Sequence, residues 1–306
     1  MKSSFQHIGL AKLCGWFGIT RQAYYQNRWS TIDTIIDDEL ILQQVKQIRQ
    51  KHPQLGTRKL YDKLQMFMSE HSIKMGRDAL FDLLSVNHLL IRKRKRKIQT
   101  TNSSHWLRKY SNLIKEFVPT NINQLWVSDI TYWKINTNKH VYISFITDTY
   151  SHKIVGHHVS ETLDATESIK ALKMALSAIE ETESKSSLIH HSDRGIQYCS
   201  SGYVKLLQDN NIEISMTENG DPLENAIAER VNGIIKDEYL ESYQVNNIKD
   251  AKVLLNRVVA LYNNDRPHMS ISNLTPNQIH HSKKTIETKK LWKNYYQKKN
   301  TFVNQL

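Results

Sequence analysis

Three acidic residues stand where an acid needs a reason. Asp129 sits in Trp126-Val127-Ser128-Asp129-Ile130-Thr131, a run whose β-branched and aromatic content predicts a strand. A carboxylate inside a strand of a packed sheet is expensive unless something compensates its charge. Asp193 follows a second apolar run, in His190-His191-Ser192-Asp193-Arg194-Gly195, and the carboxyl ends of strands in open α/β sheets are where sites form. Glu229 lies on a helix expected to begin near Asp221-Pro222-Leu223. On that helix Ile227, Val231, Ile234 and Ile235 share one face, and Asn225, Glu229, Asn232 and Lys236 form a stripe roughly opposite. The helix can therefore bury its apolar face and turn Glu229 and Lys236 to a cleft, or to solvent as an ion-paired surface. Three carboxylates meeting in one cleft are what two-metal phosphodiester chemistry requires. Mg²⁺ prefers oxygen ligands and keeps some waters, and two such ions about 4 Å apart activate the attacking oxygen and stabilise the leaving one. The pairs His157-His158, His190-His191 and His280-His281 raise zinc as an alternative. Adjacent histidines on a strand point to opposite sides, and no cysteine cluster accompanies them, so zinc is not the expectation.

The elements that must position these acids follow from periodicity. Residues 125–135, 140–147 and 153–160 read as three antiparallel strands, separated by turn chemistry at Asn136-Thr137-Asn138-Lys139 and Thr149-Tyr150-Ser151-His152. Asp148, at the second of these turns, reads as ordinary turn chemistry. A helix over 164–183, a strand over 188–191, a helix over 203–210, a strand over 212–216 and the Glu229 helix complete the order βββαβαβα. That order predicts a mixed α/β sheet of the ribonuclease H type. Before it the chain reads all-helical. Leu10, Leu13, Cys14 and Phe17 have helical spacing, Gly18 breaks it, and Thr20 is placed to cap a restart, which is a helix-turn-helix pattern. Helices over 33–51, 57–68 and 76–86 follow, and a short one is expected within 106–117. The predicted organisation is a helical, helix-turn-helix-type DNA-binding region over 1–97, a linker over 98–122, a ribonuclease H-like core over 123–280 and a basic tail over 281–306.

Charge follows the same partition. The chain of 306 residues carries a formal net charge of +12. Residues 1–123 hold 21 Lys/Arg against 9 Asp/Glu, residues 124–279 hold 14 against 20, and residues from 280 hold 7 against 1. Basic ends around an acidic middle suit a nucleic-acid enzyme whose acidic centre works with cations. The six-cation run Arg92-Lys93-Arg94-Lys95-Arg96-Lys97 reads as a phosphate-contacting arm or a solvated linker. The tail with Lys289, Lys290, Trp292, Lys293, Tyr295 and Tyr296 offers the same alternatives. Arg266-Pro267-His268 is expected to cap or pack the C-terminal helix, with DNA contact as the alternative. No apolar run approaches the ~18 residues of a membrane span, and two cysteines, Cys14 and Cys199, cannot build a disulfide framework. A reducing, cytoplasmic location associated with the nucleoid is the expectation.

At these residues the chain resembles the bacterial insertion-sequence transposases with a retroviral-type integrase core, specifically the product of the element's second reading frame. The resemblance rests on 126–131, 191–198, 224–236 and Tyr262-Asn263-Asn264-Asp265-Arg266-Pro267-His268, with Thr275-Pro276 beyond. Thirty-five residues separate Asp193 from Glu229, the spacing that marks this Asp-Asp-Glu group. The resemblance implies that Asp129, Asp193 and Glu229 bind two Mg²⁺ ions, with Mn²⁺ as substitute, and that Lys236 contacts DNA near the reacting end. It implies cleavage and strand transfer of the element's ends into target DNA, a homo-oligomer that pairs two ends, and a companion first-frame protein. Many members have Asp-Asn-Ala before the glutamate and Ser-Phe-Phe after it, where this chain has Glu224-Asn225-Ala226 and Arg230-Val231-Asn232. The alternatives are a ribonuclease H-like or structure-specific nuclease, and a DNA-binding regulator with a decayed core.

Overall fold

The computed structural model describes residues 8–91, 106–115, 117–136, 139–179, 188–218 and 225–282. It separates into two compact units, one of residues 1–51 and 56–92, the other of residues 52–55 and 93–306. The Arg92, Lys93, Arg94, Lys95, Arg96 and Lys97 run and the basic aromatic tail lie outside the described residues. No described helix is long and apolar enough to cross a membrane.

The first unit holds α1 (Leu10–Trp16), α2 (Arg21–Lys51), α3 (Thr57–Glu70) and α4 (Arg77–Val86). Gly18 ends the first helix at a φ of +68°, a conformation an L side chain resists. Thr20 then accepts a hydrogen bond from Ala23 N–H at 3.0 Å, as a cap should. The expected break before residue 33 is absent, so the restart and the helix over 33–51 are one element. Nothing in 21–51 supplies a breaker, since it contains neither Gly nor Pro. Ile41 and Val45 are buried with Leu60, Leu64, Leu80 and Leu84, one apolar stripe from each helix.

The second unit is built on a five-stranded sheet of order β3-β2-β1-β4-β5. Its strands are β1 (Leu125–Asn136), β2 (Lys139–Asp148), β3 (Ile154–Ser160), β4 (Ile189–Ser192) and β5 (Glu213–Met216). The first three pair antiparallel, and β4 and β5 join parallel to β1. This is the ribonuclease H-like arrangement, and it makes β1 the central strand. Helices α5 (Ala165–Ser177) and α6 (Ser201–Asp209) supply the crossovers that parallel strands need. Trp126 and Ile130 of β1 pack towards that side, with Ala171, Leu172, Ala175, Tyr203 and Leu207. Trp133 and Ile135 face the other way, into a core with Val231, Ile235, Tyr239, Leu255 and Val258. That core is closed by α7 (Ala226–Ile234) and α8 (Ile248–Asn264), and α9 (Pro276–His280) follows.

Two expectations need correction here. No helix forms in 106–115; instead Ser111 C=O accepts from Met216 N–H and Leu113 N–H donates to Ser215 Oγ. That stretch covers the edge of β5, which would otherwise present unpaired backbone groups. The α-helix bearing Glu229 is described from Ala226, and the start expected near Asp221 lies outside the described residues. This helix does not end as an α-helix: a π-helical turn (Ile235–Tyr239) continues it, then a 3₁₀ turn (Leu240–Ser242).

Gly156 sets how closely α5 lies on β3. A Cβ at this position would sit 2.2 Å from the Ala171 carbonyl oxygen and 2.9 Å from the Ala175 Cβ. Gly156→Ala is predicted to destabilise the second unit by about 3 kcal/mol through this overpacking. Urea unfolding should give a lower midpoint at unchanged m; an unchanged midpoint would show that the helix yields without cost.

Candidate active site

Asp129 is held at the centre of the sheet, on the face covered by α7. Strand alternation puts Ser128 on one side and Asp129 on the other. Ser128 Oγ lies 2.7 Å from His190 Nε2, which is 3.0 Å from Tyr203 OH. Burial, with His191 beside it, pushes the His190 imidazole down to about 3, so it is neutral in this packed network. The Asp129 side chain turns instead to the opposite helix. Asn232 Nδ2 donates to Asp129 Oδ2 at 2.7 Å, and Ile130 N–H donates to Oδ1 at 2.8 Å. Asn225, the residue preceding α7, donates to the Ser128 carbonyl at 3.0 Å. The polar stripe read from the sequence therefore docks its two asparagines onto β1, where both are buried.

Parallel register brings Asp193 alongside. Ser128 pairs with Ser192, so Asp129 and Asp193 each follow the same rung of the ladder, on strands about 4.8 Å apart. Gly195 N–H donates to Asp193 Oδ1 at 3.0 Å, and a Cβ on Gly195 would come within 2.9 Å of that oxygen. A side chain at 195 would therefore push the Asp193 carboxylate aside.

Glu229 stands in the first turn of α7 and is exposed, one turn from Asn232. Asp193 and Glu229 both act on Asp129. Burial first, then the Asp193 charge, then that of Glu229 push the Asp129 carboxyl up to about 8 against the pull of its two hydrogen bonds. The three predicted acids are thus neighbours in charge. Among the described residues, however, no three His, Cys, Asp or Glu side chains converge tightly enough to hold an ion as they stand.

Lys236 falls within the π-helical turn, with its ammonium 4.1 Å from the centroid of the Tyr132 ring of β1. The histidine pairs divide their partners as strand alternation requires. His157 meets Asn256 and His158 meets Glu167, while His191 meets Ser215 on β5. Asp148 is a turn anchor, accepting from Asn123 N–H, Ser151 N–H and Ser151 Oγ. The roles of Asn225 and Asn232 escaped the sequence reading, although their place on the Glu229 stripe was visible. Asparagine on a helix face gives no sign of which backbone or carboxylate it will meet.

The strand order, with an acid on β1, a second after β4 and a third on the helix that closes the sheet, defines an integrase-type core. Two models of the Integrase core domain match, over residues 119–222 and 210–276. The chain is 34% identical over 271 residues to an uncharacterized 31 kDa protein of insertion element IS600 from Shigella sonnei, covering 86% of this chain and 96% of that one. It is 31% identical to the transposase for insertion sequence element IS629 from the same organism, over 71% of this chain and 70% of that one. Among solved structures, the HTLV-2 integrase catalytic core domain in complex with magnesium aligns at 22% identity and a TM-score of 0.42, over 53% of this chain and 98% of that one. The chain belongs to the family of insertion-sequence transposases that carry an integrase core.

The raised pKa has a consequence for stability. A carboxyl that binds its proton more tightly when folded favours the folded state most in acid, and that contribution is lost as pH rises through about 8. In metal-free buffer Asp129→Asn is predicted to melt higher than wild type at about pH 8.5, with the gap closing towards about pH 4. Parallel melting curves for the two proteins across that range would contradict the burial of a strained charge.

Proposed function

We propose that the chain is a DNA transposase that cleaves and joins element ends through a divalent-metal site formed by Asp129, Asp193 and Glu229. The observation that carries this reading is the placement of Asp129: buried on the central strand, level with Asp193, and facing the helix that bears Glu229. Burial first, and then the charges of Asp193 and Glu229, hold the proton on Asp129, and a cation would relieve both. The donors are all carboxylate oxygens, which match hard ions such as Mg²⁺ or Mn²⁺. Asp129, Asp193 and Glu229 would together hold the ions. When bound, such ions activate the attacking hydroxyl and stabilise the departing 3′-oxygen.

The residues of the chain do the orienting. Asn232 and the Ile130 N–H fix the Asp129 carboxylate, and the Gly195 N–H fixes that of Asp193. In strand transfer the oxygen of the element's 3′-hydroxyl bonds to the target phosphorus, and its proton passes through solvent to the departing 3′-oxygen. The target's own P–O3′ bond breaks, so one phosphodiester replaces another and no energy source is consumed. Lys236 places a positive charge beside β1, suited to a phosphate of the element's end. Residues 1–97 would bind the terminal repeats, with Arg92, Lys93, Arg94, Lys95, Arg96 and Lys97 neutralising backbone charge. A second copy of the chain would hold the other end, and the first-frame product would be a further partner.

The test is end joining with Mg²⁺ or Mn²⁺ on a duplex carrying the terminal sequence of the element. Wild type should give joined products, and Asp129→Ala, Asp193→Ala and Glu229→Gln should each lose them by at least about a thousandfold while still binding the duplex. Joining retained in any of the three would remove that residue from the site. Gly195→Ala is predicted to fold with near-wild-type stability and to lose activity through displacement of Asp193; full activity would show that this approach is not needed.

A further inference from the structure

The π-helical turn that carries Lys236 is held by a buried polar clamp that the reaction itself does not call for. Such turns are rare and appear mostly as single turns inside α-helices, frequently at functional sites. One that persists in a packed core is imposed by its surroundings. Here the imposing groups are Arg266 and His52. Arg266, 1% exposed, forks onto Glu238 of the turn, Nε to Oε2 at 2.7 Å and Nη2 to Oε1 at 2.7 Å. The next residue of the turn, Tyr239, has its hydroxyl 2.8 Å from His52 Nδ1, and His52 Nε2 is 2.7 Å from Asp265 Oδ2. Gln54 N–H donates to the Glu238 carbonyl at 3.2 Å. Side chain and backbone of Glu238 are therefore both held, two residues beyond Lys236.

A buried Arg–Glu pair is seldom more stabilising than apolar residues of the same volume, so stability alone does not account for it. What the pair does is fix geometry. A bidentate guanidinium sets both the distance and the plane of the carboxylate, which a lysine cannot. We propose that Arg266 and Glu238, braced by His52 and Tyr239, are positioning residues that hold the π-helical turn so that Lys236 projects beside β1 to meet the DNA end. This rests on the reading of Lys236 as a DNA contact. The fork sets where that charge sits without touching DNA itself.

The test is a double-mutant cycle on the full chain, reading affinity for the element-end duplex by fluorescence anisotropy across a salt series without divalent metal. Melting and Mn²⁺ uptake, the latter by electron paramagnetic resonance, are followed alongside. Lys236→Ala should weaken binding about fivefold and reduce the salt slope by about one. Arg266→Lys should reproduce both changes with Mn²⁺ uptake unaltered, and the double variant should bind no more weakly than Lys236→Ala alone. Should Arg266→Lys fail to fold, Tyr239→Phe takes its place in the cycle, removing one hydrogen bond at nearly constant volume. Additive losses, or a wild-type salt slope in the clamp variants, would overturn the positioning role. A wild-type salt slope and affinity in Lys236→Ala would overturn it too, by removing the contact it serves. That outcome is separate from failure of the wider reading, which would appear as wild-type protein unable to join ends with metal.

Discussion

Burying the Asp129 carboxylate against α7 is the constraint on which the second unit is organised. A charge on the central strand of a mixed sheet has sheet on either side, and helices cover both faces. Leaving it ionised without partners costs several kcal/mol, and leaving it protonated wastes the group. The chain answers with two neutral donors, the Asn232 amide and the Ile130 N–H, which lower the penalty without cancelling the charge. Asp193 and Glu229 then raise the penalty again. The result is a site held slightly against its own stability, with a local deficit of positive charge, and the proposed divalent-metal site rests on that deficit.

The surrounding elements can be understood by what each does for that arrangement. The parallel pairing of β1 with β4 fixes the separation of Asp129 and Asp193 through backbone hydrogen bonds, the least deformable part of the fold. The network of Ser128, His190 and Tyr203 packs the far side of the same strand, and the neutral imidazole keeps a second charge from appearing behind the first. On the near side Asn225 and Asn232 lock α7 to β1 at both ends of its first two turns, and Glu229 rides between them. Gly156 allows α5 to close the opposite layer.

Much of this was legible in the sequence because it depends on short-range pattern. Strand periodicity located β1 to β5 within a residue or two, whereas the parallel register that makes Asp129 and Asp193 neighbours appears only in the fold. The amphipathic spacing of Ile227, Val231, Ile234 and Ile235 gave the orientation of α7. What stayed hidden depends on partners far away in the chain. The unbroken run of α2 past residue 33 is the exception, since it follows from the local lack of Gly and Pro in 21–51 where two helices were expected. The segment 106–115 has helical residues but spends its backbone groups on β5. The π-helical turn has no sequence signature at all, because Arg266, 28 positions beyond Glu238, and His52, 187 before Tyr239, impose it.

The central claim is that Asp129, Asp193 and Glu229 address one divalent-metal site, and iron-mediated cleavage of the polypeptide tests it most directly. Fe²⁺ substituted for Mg²⁺, with ascorbate and peroxide, generates hydroxyl radicals that cut the backbone beside bound metal. The account predicts three cuts, at or next to residues 129, 193 and 229, all suppressed by excess Mg²⁺ and all lost together in Asp129→Asn. Cuts confined to one or two of these positions, or clustered at the histidine pairs instead, would contradict it.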